Sequence, residues 1–318
     1  MPKKIAQIFC LRGQMDKIKI CLSYLIYPMS MATYVRRALE RRDDVELFVT
    51  GPYFGDWIPW SSGMRLPTKY VQPVDFALPT AQYSYPPWSI IKAQLPWKPD
   101  LVLQVDAGFH FADKPDCLTA TVGTDPHVLN YDAPRSYSDK FFGMQATYMK
   151  PGDIFLPYAF DPTVHFPDPL VAEDTDACLI GLHYDNRNIW VRRLRELGHS
   201  VIYELGPIFD EYRQLNCRAS LGLNWSSLND VCVRVFEIMG MRRVPIINRV
   251  PDLEKLGFIE NTHYYGFTTM DEAVQKVEIA LNNSEEALQI AQNAHDKVWK
   301  EDTWDLRVEQ ILKECGLC

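Results

Sequence analysis

The chain has 318 residues, of which 47% are hydrophobic and 23% are charged, the balance of an ordinary globular protein. This composition excludes disorder, collagen and coiled coil as descriptions of the whole chain. The formal net charge of −8 disfavours a protein that binds phosphate backbones, because such proteins bind mainly through clustered lysines and arginines. The length exceeds the roughly 100–200 residues of one typical core, so it predicts two domains.

The cysteines and the apolar runs bear on localisation. The eight cysteines lie mostly within apolar stretches, as Cys21 and Cys232 do, which is typical of free buried thiols in a reducing compartment. No apolar run approaches the roughly 20 residues that span a bilayer. The first residues lack the long apolar core and the cleavage site of a signal peptide. We therefore expect a cytoplasmic protein.

The first half alternates apolar strands with a helix. Strands are predicted at 18–26 and 45–50, on either side of a helix at about 30–41 that Ser30 can cap. Residues 52–99 then interrupt the pattern with many prolines and aromatics, too many for disorder, and predict a packed irregular insertion. The alternation resumes with four short core strands, at 101–105, 118–122, 140–142 and 154–157.

The second half repeats this alternation more regularly. Prolines and the acidic run at 173–176 mark a linker. Strands are predicted at 177–182, 200–203, 221–224 and 244–247. Helices are predicted at 188–197, 210–218, 230–239, 270–282, 285–299 and 304–313. Such alternation predicts two doubly wound α/β domains, residues 1–165 and 166–318, with a ligand in the cleft at the carboxyl ends of the strands.

Several common fingerprints are missing from the sequence. It contains no GxGxxG after the first strand of either domain, no GxxxxGK[ST], no HExxH and no GxSxG. Its one DxD, Asp174-Thr-Asp176, precedes a strand, so we interpret it as solvated linker. The histidines other than His127, His165 among them, show no metal-ligand spacing and are expected in structural roles. We expect no metal and no cofactor.

One stretch in the second half combines groups that suit a nucleoside diphosphate. A strand ends at Asn224, a polar loop runs to Asn229, and a helix from about Asp230 carries Arg234 and Glu237 three residues apart, so that both can face one side. Helix N-termini favour anions, and arginine binds phosphate as a fork. A carboxylate can accept hydrogen bonds from both hydroxyls of a ribose.

At this stretch the sequence resembles GT-B glycosyltransferases, specifically the CgeB-like branch related to glycosyltransferase family 4. Leu223-Asn224, Arg234-Val-Phe236-Glu237 and Val244-Pro245 match the LN…RxFE…G…P signature of the second domain. Segments 180–187 and 205–209 are also similar to family segments, and 123–127 and 156–162 resemble the family in outline. The resemblance implies two Rossmann-like domains facing a cleft, with the last helix, about 302–315, packing back on the first domain.

The resemblance also implies roles for single residues. Glu237 would hold the donor ribose, and Arg187 and Arg234 would contact the diphosphate, with Arg234 stabilising the leaving group. Pro207 and Phe209 would flank the base. Asn224 and Asn229 would complete the donor site, and Asp125 and His127 would position the transferred sugar or the acceptor hydroxyl.

The sequence departs from the family pattern at three places. Asn229 stands where the family has the first of two glutamates, although an amide can still bond a sugar hydroxyl. Arg242 stands where the family commonly has a small residue. The segment from Tyr27 to Met31 replaces the glycine-rich loop after the first strand.

The resemblance implies a metal-independent, retaining glycosyltransferase of hexosyltransferase type with a nucleotide-sugar donor, most commonly a UDP-sugar. A sugar-nucleotide epimerase or hydrolase of the same fold and a non-catalytic nucleotide-sugar-binding protein are the alternatives. The acceptor stays open between a glycan, a protein, a small molecule and a modified base of bacteriophage DNA. The oligomeric state is also open.

The charge distribution keeps a nucleic-acid acceptor among these options. Residues 1–165 hold 17 lysines and arginines against 16 acidic residues, a net charge of +1, and residues 166–318 hold a net charge of −9. The acceptor-side domain therefore lacks the acidity of the whole chain. A basic cluster in this domain could attract phosphate, at Arg36, Arg37, Arg41 and Arg42.

Overall fold

The computed structural model describes residues 17–56, 65, 68–78, 85–106, 108–226 and 228–318. The first domain within these residues has seven strands: β1 (Ile18–Tyr24), β2 (Val45–Pro52), β3 (Phe76–Leu78), β4 (Leu101–Asp106), β5 (Thr119–Gly123), β6 (Lys140–Gly143) and β7 (Ile154–Phe155). They form one parallel sheet in the order β3-β2-β1-β4-β5-β6-β7. Helices α1 (Ala32–Glu40), α2 (Trp88–Lys92) and α3 (Asp132–Tyr137) belong to this domain.

The second domain has five strands in the described residues: β8 (Thr175–Ile180), β9 (Val201–Glu204), β10 (Ala219–Asn224), β11 (Val244–Asn248) and β12 (Tyr265–Phe267). They form a parallel sheet in the order β12-β11-β10-β8-β9. Its helices are α4 (Asp185–Glu196), α5 (Phe209–Cys217), α6 (Val233–Gly240), α7 (Pro251–Lys255), α8 (Met270–Asn282) and α9 (Ser284–Glu301), and α10 (Trp304–Glu314) ends the chain. The two parallel sheets confirm the predicted α/β class.

The strand order explains where a ligand can bind in each domain. The order in which successive strands are added to the sheet reverses between β1 and β4 in the first sheet and between β8 and β10 in the second, while all strands stay parallel. At such switch points the loops leave the sheet on opposite faces and open a crevice at the carboxyl ends of the strands. The strands themselves are buried on both faces, as the residues from Ile20 to Tyr24 are, which is why they read as continuous apolar runs.

The last helix returns to the first domain, as the resemblance implied. Two guanidinium nitrogens of Arg41, directly after α1, donate to the carboxylate oxygens of Asp305 in α10, each at 2.8 Å. Trp304 and Val308 of α10 share one apolar cluster with Val35 of α1. The first domain is thus completed by the C-terminal end of the chain.

Two further contacts join the domains near the cleft. The Gln145 side chain donates to the Val231 carbonyl at 2.8 Å and accepts from the Val231 amide at 3.2 Å. The Thr147 amide and hydroxyl donate to the Asp252 carboxylate at 3.0 and 2.6 Å. The bonds of Gln145 hold the loop before α6 against the first domain, and those of Thr147 hold α7 against it.

Several local predictions were wrong. Ser30 does not cap α1; the helix begins at Ala32 after Met31, with no capping side chain, because 27–30 forms a turn closed by Ser30 N to Tyr27 O at 3.2 Å. Asp230 lies outside α6, which begins at Val233. The prediction also omitted three short elements outside the insertion, α3, α7 and β12.

Part of the predicted insertion is regular structure. Its described residues include a 3-10 helix at Thr68–Tyr70, strand β3, which extends the first sheet beside β2, and helix α2. The aromatics Trp57, Trp60 and Tyr83, which contributed to that prediction, lie outside the described residues.

The predicted basic cluster is neutralised by carboxylates. Arg36 pairs with Glu40 at 2.6 Å, Arg37 with Asp161 at 2.9 Å, Arg41 with Asp161 and Asp305, and Arg42 with Asp44 at 2.7 Å. These arginines serve the packing of α1, so they do not support the expectation of a phosphate-attracting patch. No described helix is long and apolar enough to cross a membrane.

Candidate functional site

A cavity lies between the domains at the carboxyl ends of β1 and β8. The first domain lines it with the segment from Pro28 to Tyr34. The second domain lines it with the loop after β8, the loop 206–209 after β9, and α6. Arg234 and Glu237 both line it, and we call it the arginine cavity. The helix N-terminus of α1 and that of α6 point into this region, and neither has a capping side chain.

Two arginines lie together beside this cavity. Arg187, in the first turn of α4, is 5% exposed and donates through Nε and Nη2 to the Trp225 carbonyl at 2.9 and 2.6 Å. Arg234 donates through Nε to the Ile180 carbonyl at 2.7 Å and through Nη1 to Asn224 Oδ1 at 2.8 Å. Neither guanidinium has a carboxylate among the described residues within ion-pair distance. Burial acts against the charge of Arg234, but the neighbouring Cys232, Tyr212 and Glu237 outweigh it and raise the pKa of Arg234.

A glycine lets the two guanidinium groups approach each other. Gly181, directly after β8, has a φ of +148°, and a Cβ at this position would overlap Arg234 Nη2 and lie 3.6 Å from Arg187 Nη1. Burial, together with the like charge of Arg234, lowers the pKa of Arg187 to about 10. Such mutual repulsion is relieved by an anion, which makes this corner suited to a phosphate group.

Glu237 lies on α6 and is 6% exposed. Its Oε1 is 3.5 Å from Nε2 of His165. Tyr34 and Tyr212 lie near it, and burial together with the charge of Glu237 raises the pKa of both phenols well above the usual value. The carboxylate therefore lies among phenols that stay neutral, and it keeps lone pairs for a ligand.

The loop after β9 contributes Pro207 and Phe209. Both line the arginine cavity, and Phe209 has a φ of 52°, which is uncommon for a bulky residue. The Phe209 ring packs against Tyr34 and Tyr70, with centroids 5.9 and 6.1 Å away, and under the Arg37 guanidinium at 5.5 Å. Phe209 thus contacts the first domain across the cleft, in addition to lining the predicted base region.

A second cavity adjoins the first and has the opposite character. Asp125, after β5, and Asp230, before α6, line it together with Tyr158 and Cys232, and we call it the aspartate cavity. Burial raises the pKa of Asp125 above the usual value, and the charge of Asp230 raises it further. Asp230 is hydrogen bonded to the Ser226 hydroxyl. Carboxylates in this arrangement accept hydroxyl groups of a sugar or an acceptor.

The remaining predicted residues lie around these cavities. Asn224 is 1% exposed, and its Oδ1 accepts from Arg234 and from the Cys232 thiol at 3.0 Å, so it orients Arg234. Asn229 is exposed, has a φ of 60°, and lines neither cavity; its neighbour Asp230 faces the cleft. His127 also lines neither, and its ring packs against Tyr148 with centroids 5.8 Å apart.

Sequence reasoning missed four residues of the site. Tyr34, His165, Tyr212 and Asp230 come from separate elements, and no spacing in the sequence connects them. Asp230 offered one signal, because it is a carboxylate beside the position where the family pattern has a glutamate. No group of three or more histidine, cysteine or acidic residues in the described part of the chain could hold a metal ion.

Comparisons with known proteins agree with this architecture. Residues 170–313 match the family model described as glycosyl transferase-like. No curated protein matches the sequence of the chain. The narrower assignment to the CgeB-like branch stays a prediction.

Similar solved structures cover almost the whole chain. HepE of Anabaena in complex with UDP and glucose has a TM-score of 0.64 at 11% identity, over 95% of this chain and 100% of that chain. Sucrose-phosphate synthase of Thermosynechococcus elongatus has a TM-score of 0.60 at 12% identity, over 94% of this chain and 98% of that chain. A Listeria monocytogenes structure described as a putative UDP-N-acetylglucosamine 2-epimerase has a TM-score of 0.57 at 14% identity, over 94% of this chain and 95% of that chain. The chain therefore has the GT-B fold, and the match to the glycosyl transferase-like family model lies in its second domain.

Proposed function

We propose that the protein is a glycosyltransferase that takes a sugar from a nucleotide-diphosphate sugar, a UDP-sugar in the first instance. The observation that carries the proposal is the pair of buried guanidinium groups of Arg187 and Arg234, which have no described carboxylate partner and lie beside the cavity lined by Glu237. Two such cations match a diphosphate, and the Glu237 carboxylate matches the hydroxyls of a ribose. The glycosyl transferase-like match over the same domain supports this reading.

The two cavities would bind different parts of the substrates. The arginine cavity would hold the nucleotide, so the bond between the anomeric carbon and the diphosphate lies toward the aspartate cavity. As that bond breaks, negative charge grows on the leaving diphosphate, and Arg187, Arg234 and the N-terminus of α6 stabilise it. The acceptor oxygen bonds to the anomeric carbon, and its proton passes to the leaving phosphate. Asp125 and Asp230 orient sugar and acceptor hydroxyls.

We propose that transfer needs no metal, because the guanidinium groups already supply positive charge at the leaving group. We also propose retention of anomeric configuration, which rests on the family resemblance alone. His127 contacts Tyr148 and lies outside both cavities, so its proposed part is limited to its influence on Asp125, whose pKa it lowers.

The deciding experiment measures binding of UDP, UDP-glucose and UDP-N-acetylglucosamine by calorimetry, with Mg²⁺ and with EDTA. We expect binding of UDP in both conditions. Release of UDP from one sugar nucleotide should accelerate when a suitable acceptor is added, and an acceptor screen over glycans, peptides and modified nucleobases identifies it. Absence of binding by all three compounds contradicts the proposal and favours a protein that has kept only the fold.

A sugar-nucleotide epimerase is the second candidate, because two similar structures are described as UDP-N-acetylglucosamine 2-epimerase, one of them as putative. An epimerase converts the sugar nucleotide without an acceptor. Nuclear magnetic resonance of UDP-N-acetylglucosamine incubated with the protein alone separates the two: a new sugar configuration supports the epimerase, and an unchanged sugar supports the transferase.

A further inference from the structure

A fully buried histidine reaches Glu237 without lining the arginine cavity. His165 lies on the segment that joins the domains, between β7 and β8. Its Nε2 is 3.5 Å from Glu237 Oε1 and 3.4 Å from the Tyr34 hydroxyl. The ring therefore contacts the carboxylate from the side away from the cavity, where no ligand competes with it.

The other nitrogen of the ring determines where the proton is. The Asp161 backbone amide donates to His165 Nδ1 at 3.2 Å, so Nδ1 carries a lone pair and a neutral ring has its proton on Nε2. Burial lowers the pKa of His165 below the usual value, against the opposing charges of Glu237 and Asp161. At neutral pH the ring is thus a donor directed at Glu237 and Tyr34.

The first domain holds this ring in place. The Asp161 carboxylate, which precedes His165 by one turn, accepts from Nε of Arg37 on α1 at 2.9 Å and from Nη1 of Arg41, which directly follows α1, at 3.2 Å. The Tyr34 hydroxyl, also on α1, faces the same Nε2. A side chain anchored to the first domain therefore contacts a carboxylate of the second domain.

We propose that His165 is a positioning residue that orients the Glu237 carboxylate toward the ribose hydroxyls of the nucleotide and ties this orientation to the placement of the first domain. The inference rests on the proposed function, because it takes the ligand of Glu237 to be a ribose. A carboxylate held through one oxygen keeps its remaining lone pairs in a defined direction, and a freely rotating one loses part of its selectivity for the diol.

The test compares UDP with 2′-deoxy-UDP by calorimetry on three proteins. The wild type should prefer UDP. His165→Phe keeps the ring volume and loses Nε2, so the preference should fall on the order of tenfold, the effect of losing a polar contact with a carboxylate in a buried site. His165→Gln, whose side-chain amide can donate from a similar position, should recover most of it. An unchanged preference in His165→Phe, or an equal loss of affinity for both nucleotides, overturns the inference.

The chain contains a matched control and a readout that needs no ligand. His263 also accepts a backbone amide at Nδ1, from Ile259 at 2.9 Å, but lies away from Glu237; His263→Phe should keep the preference. In nucleotide-free protein, Glu237→Gln should lower the pKa of His165 in an imidazole titration, and an unmoved pKa also overturns the inference. A wild type that binds neither nucleotide overturns the proposed function together with the ribose role. A wild type that prefers UDP while His165→Phe keeps that preference overturns only the role of His165.

Discussion

The two cavities of the cleft adjoin each other and differ in charge. Two guanidinium groups without an ion-paired carboxylate among the described residues lie at the arginine cavity, that of Arg234 in its lining and that of Arg187 beside it, and two carboxylates from different domains line the aspartate cavity. Both are lined by residues 29–31 and by Val233. Burial and like charge together lower the pKa of Arg187 at the first site and raise the pKa of Asp125 at the second, and perturbed groups of this kind cluster where ligands bind. The contrast suggests that a diphosphate enters one side and hydroxyl groups enter the other.

The largest effect is expected from removing one cation of the arginine cavity. Arg234→Gln should weaken UDP binding on the order of a hundredfold, because a charge-assisted contact to phosphate is lost in a site shielded from water. Calorimetry measures it. Arg192→Gln, on the exposed face of α4, is the control and should bind UDP as the wild type does. Equal affinity of Arg234→Gln and wild type would place the diphosphate elsewhere.

The next effect is expected from Gly181→Ala. The added Cβ overlaps Arg234 Nη2, and the φ of +148° suits only glycine, so both UDP affinity and stability should fall, stability by about 1–3 kcal/mol. Gly198→Ala is the matched control, because Gly198 also has a positive φ, of +94°, and an added Cβ meets nothing within 4 Å. Urea unfolding and calorimetry should show lower stability in both variants and weaker UDP binding only in Gly181→Ala.

A smaller effect of opposite sign is expected in the aspartate cavity. Burial raises the pKa of Asp125 in the folded protein, so the folded state binds this proton more readily than the unfolded state. The ionised carboxylate of Asp125 therefore destabilises the fold once the pH rises above the usual pKa of an aspartate. Asp125→Asn should raise the melting temperature at pH 7, lose this advantage in acid, and lower transfer. Asp43→Asn, at an exposed position, is the control and should change neither the melting temperature nor transfer. A lower melting temperature of Asp125→Asn at pH 7 would contradict the argument.

The smallest effect is expected from the contact that closes the cleft over the arginine cavity. Phe209→Ala removes a ring that packs on Tyr34 and Tyr70, so the KM for the donor should rise a few-fold, about the loss of one aromatic contact, with kcat nearly unchanged. Steady-state kinetics on the identified donor measures both. Tyr53→Ala, at an exposed position, is the control and should keep the KM of the wild type. An unchanged KM in Phe209→Ala would show that the contact of Phe209 with the first domain does not contribute to donor binding.

Sequence patterns located most of the core of the fold. Helix 270–282 was predicted at its observed bounds, and the second-domain strands within one or two residues, because buried parallel strands are continuous apolar runs and helices carry an apolar stripe. The short elements were missed, since β12 has three residues and α7 five, too few to show a period. Ser30 was wrongly predicted as the cap of α1, because serine is a residue type that often caps helices. The turn at 27–30, which lines the cleft, places the start of the helix after it.

The sequence by itself determined the α/β class, the two parallel sheets and the arrangement of Arg234 and Glu237 on one helix, because these depend on local periodicity. The tertiary structure alone decided which groups meet. It brought Arg187 beside Arg234 through Gly181, placed Asp230 opposite Asp125, and set His165 behind Glu237. It also paired the basic cluster of α1 with carboxylates distant in the chain. These contacts join residues many positions apart, and their energies come from burial and charge at short distance, which no local pattern records.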